Sequence, residues 1–316
     1  MDRAEFAALA GTAPEVDGTA RSGAGKSGAA ARYRVTDMHT AGEPVRIFTG
    51  GVPPLPPGPL LEKRRYARAE LDHVRRRLML EPRGHPEMYG VWPTESELPE
   101  AALAVLFTHC AGYSTMCGHA TIALGRWVLD QGLVPARAPE TVFVLECPCG
   151  PVTVRAAVDA QGRVGRVAFD SVPAFAELLD QPLEVEGFGR VPVDVPYGGA
   201  FYAVLPASRL GLDLRATPYE LLVQAGRRIT RAGRAQLAIR HPAAPDLGFL
   251  YGTILTDDLP PESAAPTYNL CVFGGGQVDR SATGSGATAR MALDLARGRL
   301  AVGARREFRG LSGVGF

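Results

Sequence analysis

Two short segments of this 316-residue chain carry residue types that could do chemistry. The first is Met116-Cys117-Gly118-His119, which opens a run with apolar residues at helical spacing (Ile122, Trp127, Leu129) and stops at Gly132. The second lies 166 residues on: Ala282-Thr283-Gly284-Ser285, followed by Met291 and Leu295 and stopping at Gly298. Gly118 pairs with Gly284, Ala123 with Ala289, Leu129 with Leu295 and Gly132 with Gly298. A glycine at the same distance from each start supplies a left-handed stop, so the pattern predicts two homologous half-domains, each with a central helix. A helix start exposes unpaired N–H groups and a partial positive charge, which suit a small carboxylate. The same field favours a thiolate, so Cys117 is expected to titrate below the ~8.5 of a free cysteine. With the halves facing each other, Cys117 stands on one face of the bound molecule and Thr283 on the other. An inert core cysteine is the alternative reading of Cys117.

Composition removes several other chemistries. Of 34 basic side chains only Lys26 and Lys63 are lysine, one in a Gly/Ala tract and one in the charged run Glu62-Lys63-Arg64-Arg65. Neither reads as the buried lysine a pyridoxal enzyme needs. Net charge is +1 without a basic stripe, which argues against nucleic acid. No apolar run approaches the ~18 residues of a membrane-spanning helix, and no secretory signal is legible. Five cysteines (Cys110, Cys117, Cys147, Cys149, Cys271) are an odd number, so a reducing, cytoplasmic setting is expected rather than a disulfide framework. Cys147-Pro-Cys149 lacks the second ligand pair of a structural zinc site, and no metal is expected. Gly25-Lys26-Ser27 ends like a phosphate-binding loop, but Ala20 stands where its first glycine belongs. Gly284-Ser285-Gly286-Ala287-Thr288-Ala289 matches a dinucleotide fingerprint. However, Asp279-Arg280-Ser281 separates it from the preceding strand, and Ala304 stands where the acidic residue is needed.

The elements that must position these residues are mostly strands. Tyr33–Met38, Ala104–Thr108, Val142–Leu145, Val152–Ala156, Val191–Val195, Ala200–Leu205, Phe249–Leu255 and Asn269–Phe273 read as strands, and residues 62–81 as a charged surface helix. Helices are few and isolated, which predicts an α+β fold. Residues 1–32 read as a disordered extension, 33–150 as a first half-domain and 151–316 as a second, with the boundary near Gly150-Pro151.

Taken together the motifs resemble the proline racemase family over roughly residues 33–316. The resemblance rests on Asp37-Met38-His39-Thr40 with Gly42-Glu43-Pro44, on Met116-Cys117-Gly118-His119, on Tyr197-Gly198-Gly199-Ala200-Phe201-Tyr202, and on Asp279-Arg280-Ser281 with Thr283-Gly284-Ser285-Gly286. It implies two half-domains of diaminopimelate epimerase-like fold, each a curved, mostly antiparallel sheet around a central helix, with the active site in the cleft between them. It further implies Cys117 as the base that removes an α-proton. Backbone N–H groups of Gly118, His119, Gly284 and Ser285 would surround a carboxylate, and Asp279 would meet the ring nitrogen. In the racemases both motifs carry cysteine; here Thr283 takes the second position, as in the trans-3-hydroxy-L-proline dehydratase branch. A threonine hydroxyl is too weak an acid to return a proton, so the carbanion would expel a β-hydroxyl, and Thr283 is assigned to that departing hydroxyl. The expectation is a cofactor-independent hydro-lyase acting on a small imino acid as a cytoplasmic homodimer. A proline or 4-hydroxyproline racemase, and a non-catalytic binder or inactive truncated form, are the alternatives. Ala41 stands in place of the family's usual glycine and Ala282 in place of its usual proline. Family members continue for several strands beyond the position of Phe316, so a truncated second half with an unpaired edge and an open cleft is expected.

Overall fold

The strand β4 (Ala101–His109) shows how this sequence builds its frame. Its alternation sends Leu103, Val105 and Phe107 to a large central core and Ala104 and Leu106 to a smaller outer one. A strand covered on both faces reads as one continuous apolar run. The computed structural model describes residues 31–260, 263 and 265–316, so the extension assigned to residues 1–32 and its Gly25-Lys26-Ser27 lie essentially outside the described residues.

The first sheet takes the order β1-β2-β3-β4-β6-β7-β8, with β5 (Gly112–Ser114) paired on β4. Its strands include β1 (Arg34–Thr40), β2 (Glu43–Gly50), β3 (Tyr89–Thr94), β6 (Glu140–Cys147), β7 (Gly150–Val158) and β8 (Val164–Asp170). β2–β3 and β4–β6 are parallel and the other pairs antiparallel. The second sheet runs β14-β13-β12-β11-β10-β9, from β9 (Phe175–Val185), β10 (Gly189–Tyr197), β11 (Phe201–Pro206), β12 (Leu250–Thr256), β13 (Thr267–Phe273) and β14 (Gln277–Val278). β15 (Phe308–Arg309) pairs with β13. The fold is α+β with two half-domains. The chain crosses between sheets at residues 171–174, not at Gly150-Pro151 as the sequence suggested. Gly150 lies inside the tight β6–β7 hairpin, paired with Cys147, so β7 and β8 stay with the first half.

Each sheet wraps one helix. α3 (Gly118–Asp130) packs against β1 and β2 at one edge of its sheet and β7 and β8 at the other. α5 (Gly284–Ala296) likewise contacts β9, β10, β11 and β13. A helix that touches both ends of a sheet requires the sheet to curl around it. The two helices are 13 residues long, and both end in the same cap. Gly132 and Gly298 are left-handed (φ 69° and 67°), and the N–H groups of Leu133 and Arg299 reach back to the carbonyls of Val128 and Asp294. The punctuation read from the sequence is therefore built.

The expected surface helix at 62–81 is two helices, α1 (Leu60–Glu70) and α2 (Asp72–Met79), broken at Leu71 and packed on the outer face of the first sheet. Their cations do not all face water. Lys63, against expectation, is buried with its Nζ 2.6 Å from the Glu95 carbonyl, and Arg75 binds the carbonyls of His109 and Cys110. An amphipathic helix absent from the sequence reading, α4 (Tyr219–Gln236), covers the outer face of the second sheet through Leu222, Ala225 and Ile229. Among the described residues no helix is long and apolar enough to cross a membrane.

The β1–β2 hairpin turns through Ala41 and Gly42, both left-handed (φ 53° and 83°), which is the two-residue geometry matched to strand twist. Glycine suits both positions; at Ala41 the Cβ strains the backbone. Ala41→Gly is expected to stabilise the fold by up to about 1 kcal/mol, the left-handed strain relieved less the greater chain entropy of glycine. A urea unfolding midpoint unchanged or lowered in that variant would show that the turn carries no such strain.

Candidate active site

The two wrapped helices meet start to start. A methyl placed on Gly118 would stand 2.7 Å from the Cα of Gly284, and one on Gly284 would stand 2.9 Å from the Cα of Gly118. Only glycine permits this approach, and the Phe169 ring from β8 closes the junction against both residues. No side chain caps either helix, so neither start spends its first-turn N–H groups on its own side chain. The result is a tight cavity between the halves, with only about 10 Å³ of free space. Cys117, Gly118, His119, Asp279, Thr283, Gly284 and Ser285, every site residue expected from the sequence, line it together. These side chains are buried, so the cleft is closed over them rather than open. The outer edge of β13 is taken at one end by β14 and at the other by β15.

Cys117 holds an extended backbone immediately before α3, its carbonyl receiving the N–H and hydroxyl of Thr121. Its Sγ lies 3.2 Å from Nδ1 of His119. The sequence treated His119 only as a backbone donor; its ring is the nearest titratable partner of the thiol. Burial lowers the His119 pKa, against the pull of Asp279, and so favours the neutral ring. The thiol departs from expectation. Burial pushes Cys117 well above the usual range, and the nearby Asp279 and Glu43 add to this. The Ala120 N–H at the helix start and the Tyr89 hydroxyl act in the lowering direction but are outweighed. In the closed cavity desolvation outweighs the helix field.

Thr283 is built differently from its counterpart. It sits in the left-handed region (φ 60°, ψ 87°), an outlier for a β-branched residue. Such strain costs on the order of 1–3 kcal/mol and persists only where surroundings impose it. Here Ser281 Oγ accepts the Thr283 N–H at 3.1 Å, and the Asn269 amide holds the Ala282 carbonyl at 2.7 Å. The Thr283 hydroxyl is buried and makes no hydrogen bond, so a polar atom waits in the cavity for a ligand. Asp279 receives the Ser281 N–H at 2.8 Å, and Ser285 shares a 2.7 Å hydrogen bond with the Tyr202 hydroxyl.

Sequence reasoning missed the walls. Tyr89, Met116, Tyr202, Tyr251, Cys271 and Phe273 complete the cavity, with Tyr251 stacked on Phe273 at 5.5 Å. Met116 and Tyr202 lie in the motifs read from the sequence but received no role there; Tyr89, Tyr251, Cys271 and Phe273 come from strands, and nothing local marks them as site residues. Glu43 was visible within the turn motif but received no role. It is fully buried, its Oε2 accepts the backbone N–H of Arg280 at 2.9 Å from the other half, and its Oε1 has no partner. Glu43, His119 and Asp279 bring a donor atom each within 4.8 Å of one another, the closest approach to an ion site among the described residues; Cys147 and Cys149 belong to no such group.

An uncapped pair of helix starts, a thiol beside a neutral imidazole and a buried carboxylate suit α-proton removal from a small amino or imino acid. Comparison with known proteins agrees. Residues 35–316 match the proline racemase family. The chain belongs to that family. It is 52% identical over 278 residues to the trans-3-hydroxy-L-proline dehydratase of Homo sapiens, covering 87% of this chain and 78% of that one. It is 42% identical over 261 residues to the enzyme of that name from Colwellia psychrerythraea, covering 83% and 73%. Among solved structures it resembles a probable proline racemase from Agrobacterium radiobacter with a TM-score of 0.84 and 28% identity, covering 90% of this chain and 83% of that one. A hydroxyproline epimerase from Agrobacterium vitis with bound trans-4-hydroxy-L-proline gives 0.83 and 27%, covering 90% and 82%.

The helix junction makes a direct test of this geometry. Gly284→Ala drives a methyl into the Gly118 backbone and is expected to destabilise the fold by ~1–3 kcal/mol, the usual range for overpacking. An unaltered denaturation midpoint in that variant would mean the two starts do not abut.

Proposed function

We propose that this chain is a trans-3-hydroxy-L-proline dehydratase that releases water to give pyrroline-2-carboxylate, using its own side chains without a cofactor. The observation that supports the reading is Thr283 at the start of α5, lining the same cavity as Cys117, at the position where the resemblance gives the racemases a second cysteine. The first-turn N–H groups at Gly118, His119, Gly284 and Ser285 receive the substrate carboxylate, and Asp279 receives the ring nitrogen. A cationic imino nitrogen arriving at Asp279 lowers the Cys117 thiol from the high value that burial imposes, and the neutral His119 ring accepts its proton. The thiolate takes the α-hydrogen, the C2 electron pair forms the C2–C3 double bond, and the C3–O bond breaks. The departing hydroxyl takes a proton and leaves as water, and the enamine tautomerises to the imine.

Stereochemistry revises one assignment. In trans-3-hydroxy-L-proline the 3-hydroxyl is trans to the carboxylate and therefore shares a ring face with the α-hydrogen. The hydroxyl departs on the Cys117 side, where the newly protonated thiol or the His119 imidazolium is placed to protonate it. Thr283 then faces the opposite side, and its role is to offer no proton there. A second reading, racemisation, is favoured by one observation: the Cys271 thiol lines the same cavity near Thr283. Burial pushes that thiol well above its usual range, which makes it a poor acid. The proposal also carries a homodimer in the cytoplasm, read from the family resemblance and cysteine usage; light scattering of the purified protein tests the first part.

Incubation with trans-3-hydroxy-L-proline, coupled to a pyrroline-2-carboxylate reductase, tests the activity; absence of product from folded protein would refute it. Cys117→Ser is expected to lower turnover by at least ~10³-fold while pyrrole-2-carboxylate, a planar mimic of the carbanion, still binds, since serine keeps the cradle but not the base. Thr283→Cys is expected to gain measurable racemisation of L-proline, followed by optical rotation, because a thiol returns on the second face. A folded, ligand-binding Thr283→Cys protein without that gain would remove the two-faced geometry.

A further inference from the structure

Glu43 occupies a position that the chemistry above does not explain. It is carried by the first residue of β2, directly after the strained Ala41-Gly42 turn, and is fully buried behind the cavity wall. One carboxyl oxygen is bonded across the cleft to the Arg280 N–H, and the other has no partner; a Glu43 oxygen lies within 4.8 Å of donor atoms of Asp279 and His119. A buried, unpartnered carboxyl oxygen beside a second buried carboxyl is costly unless a proton lies between them.

Resting on the dehydratase reading, we propose that Glu43 is a positioning residue: as a carboxylic acid it hydrogen-bonds Asp279 from behind, holding it as the anion that faces the substrate's imino nitrogen. A buried carboxyl next to another disfavours ionisation of both, and the neutral one can donate a hydrogen bond to its neighbour. Glu43 is built to be the neutral member. Burial, then the proximity of Asp279, push its pKa up to about 9, with Glu87 adding to the effect; the Arg280 N–H and charge oppose it. The groups facing it from the packed elements are Asp279 and Arg280 before α5, Glu87 before β3, His119 on α3, and at longer range Cys117, Cys271 and Tyr219 at the start of α4. A neutral Glu43 also lacks the charge that would hold a metal ion among these donors.

Glutamine at this position keeps the shape, an N–H donor toward Asp279 and a carbonyl acceptor for Arg280, but cannot ionise. Glu43→Gln is therefore expected to keep kcat/KM for trans-3-hydroxy-L-proline within about threefold of the parent at pH 7, whereas Glu43→Ala raises KM by ~30-fold or more with kcat less affected, the loss typical of a hydrogen bond to a charged group. The discriminating readout is the affinity for pyrrole-2-carboxylate by calorimetry between pH 7 and 10.5. Below about pH 9 the parent and Glu43→Gln bind alike. Above it the parent weakens by up to ~tenfold per pH unit as Glu43 ionises, while Glu43→Gln does not share that step. Coincident pH profiles, a Glu43→Gln protein as impaired as Glu43→Ala, or a parent affinity abolished by a chelator would each overturn the proposal. Should Glu43→Ala fail to fold, the comparison of parent with Glu43→Gln decides alone. Because this readout uses an inhibitor and no turnover, it separates failure of the Glu43 role from failure of the dehydratase reading.

Discussion

The contact on which the rest of this molecule depends is the approach of two helix starts through Gly118 and Gly284. Each start carries roughly half a positive charge, and bringing two together in a dry cavity is unfavourable until an anion lies between them. The sheets supply the force that holds them there. Each curls around its helix and buries it on several sides, the Phe169 ring plugs the junction, and ties such as Thr115 to the Gly199 carbonyl and Arg280 to Glu87 fasten one half to the other. Apolar burial is therefore set against electrostatic repulsion, and a carboxylate ligand relieves the repulsion. A site assembled in this way prefers an anion of small size because the gap is fixed by backbone contact, not by adjustable side chains.

The same closure explains the high titration of the thiol. A field acting on Cys117 from the α3 start operates against full desolvation and against two buried acids, and desolvation wins. A permanently ionised thiol in this cavity would have to be supported by a standing positive charge, and among the described residues lining it there is none. On the proposed reading the substrate tips the balance, bringing a cationic nitrogen to Asp279 while its carboxylate fills the helix junction. On that reading the base is generated by the molecule it attacks.

The sequence made the duplicated helices legible because their determinants are local: a glycine at the start, an apolar stripe and a glycine stop at the same distance. Six of the seven expected site residues lie on those two punctuated segments, Asp279 stands three residues ahead of the second, and the structure collects all seven in one cavity. What stayed hidden was decided across the chain. Glu43 is significant only because Arg280, 237 residues away, folds over it. The tyrosines of the wall look like any buried strand residue. The charged run containing Lys63, Arg64 and Arg75 reads as a solvated face until backbone carbonyls from other strands reach its cations. The half-domain boundary was misplaced because Gly150-Pro151 is good turn chemistry, and a hairpin within a sheet uses the same residues as a break between sheets.

The two helix starts agree in length, cap and glycine contact yet differ in the residue that precedes them, and on the proposed reading the substrate accounts for this. Racemisation exchanges a proton between opposite faces of one carbon and needs an acid opposite the base. Elimination of water from trans-3-hydroxy-L-proline removes both groups from one face, so Cys117 and His119 suffice for acid and base. A thiol on the other face would be harmful, because it would return a proton to the carbanion before the hydroxyl leaves. Threonine at that position keeps a polar atom in the cavity without an available proton, and its strained backbone is held by Ser281 and Asn269 rather than by any bond of its own hydroxyl. Two starts with one architecture thus divide binding equally and chemistry unequally, and it is the backbone, not the side chains, that had to stay symmetric.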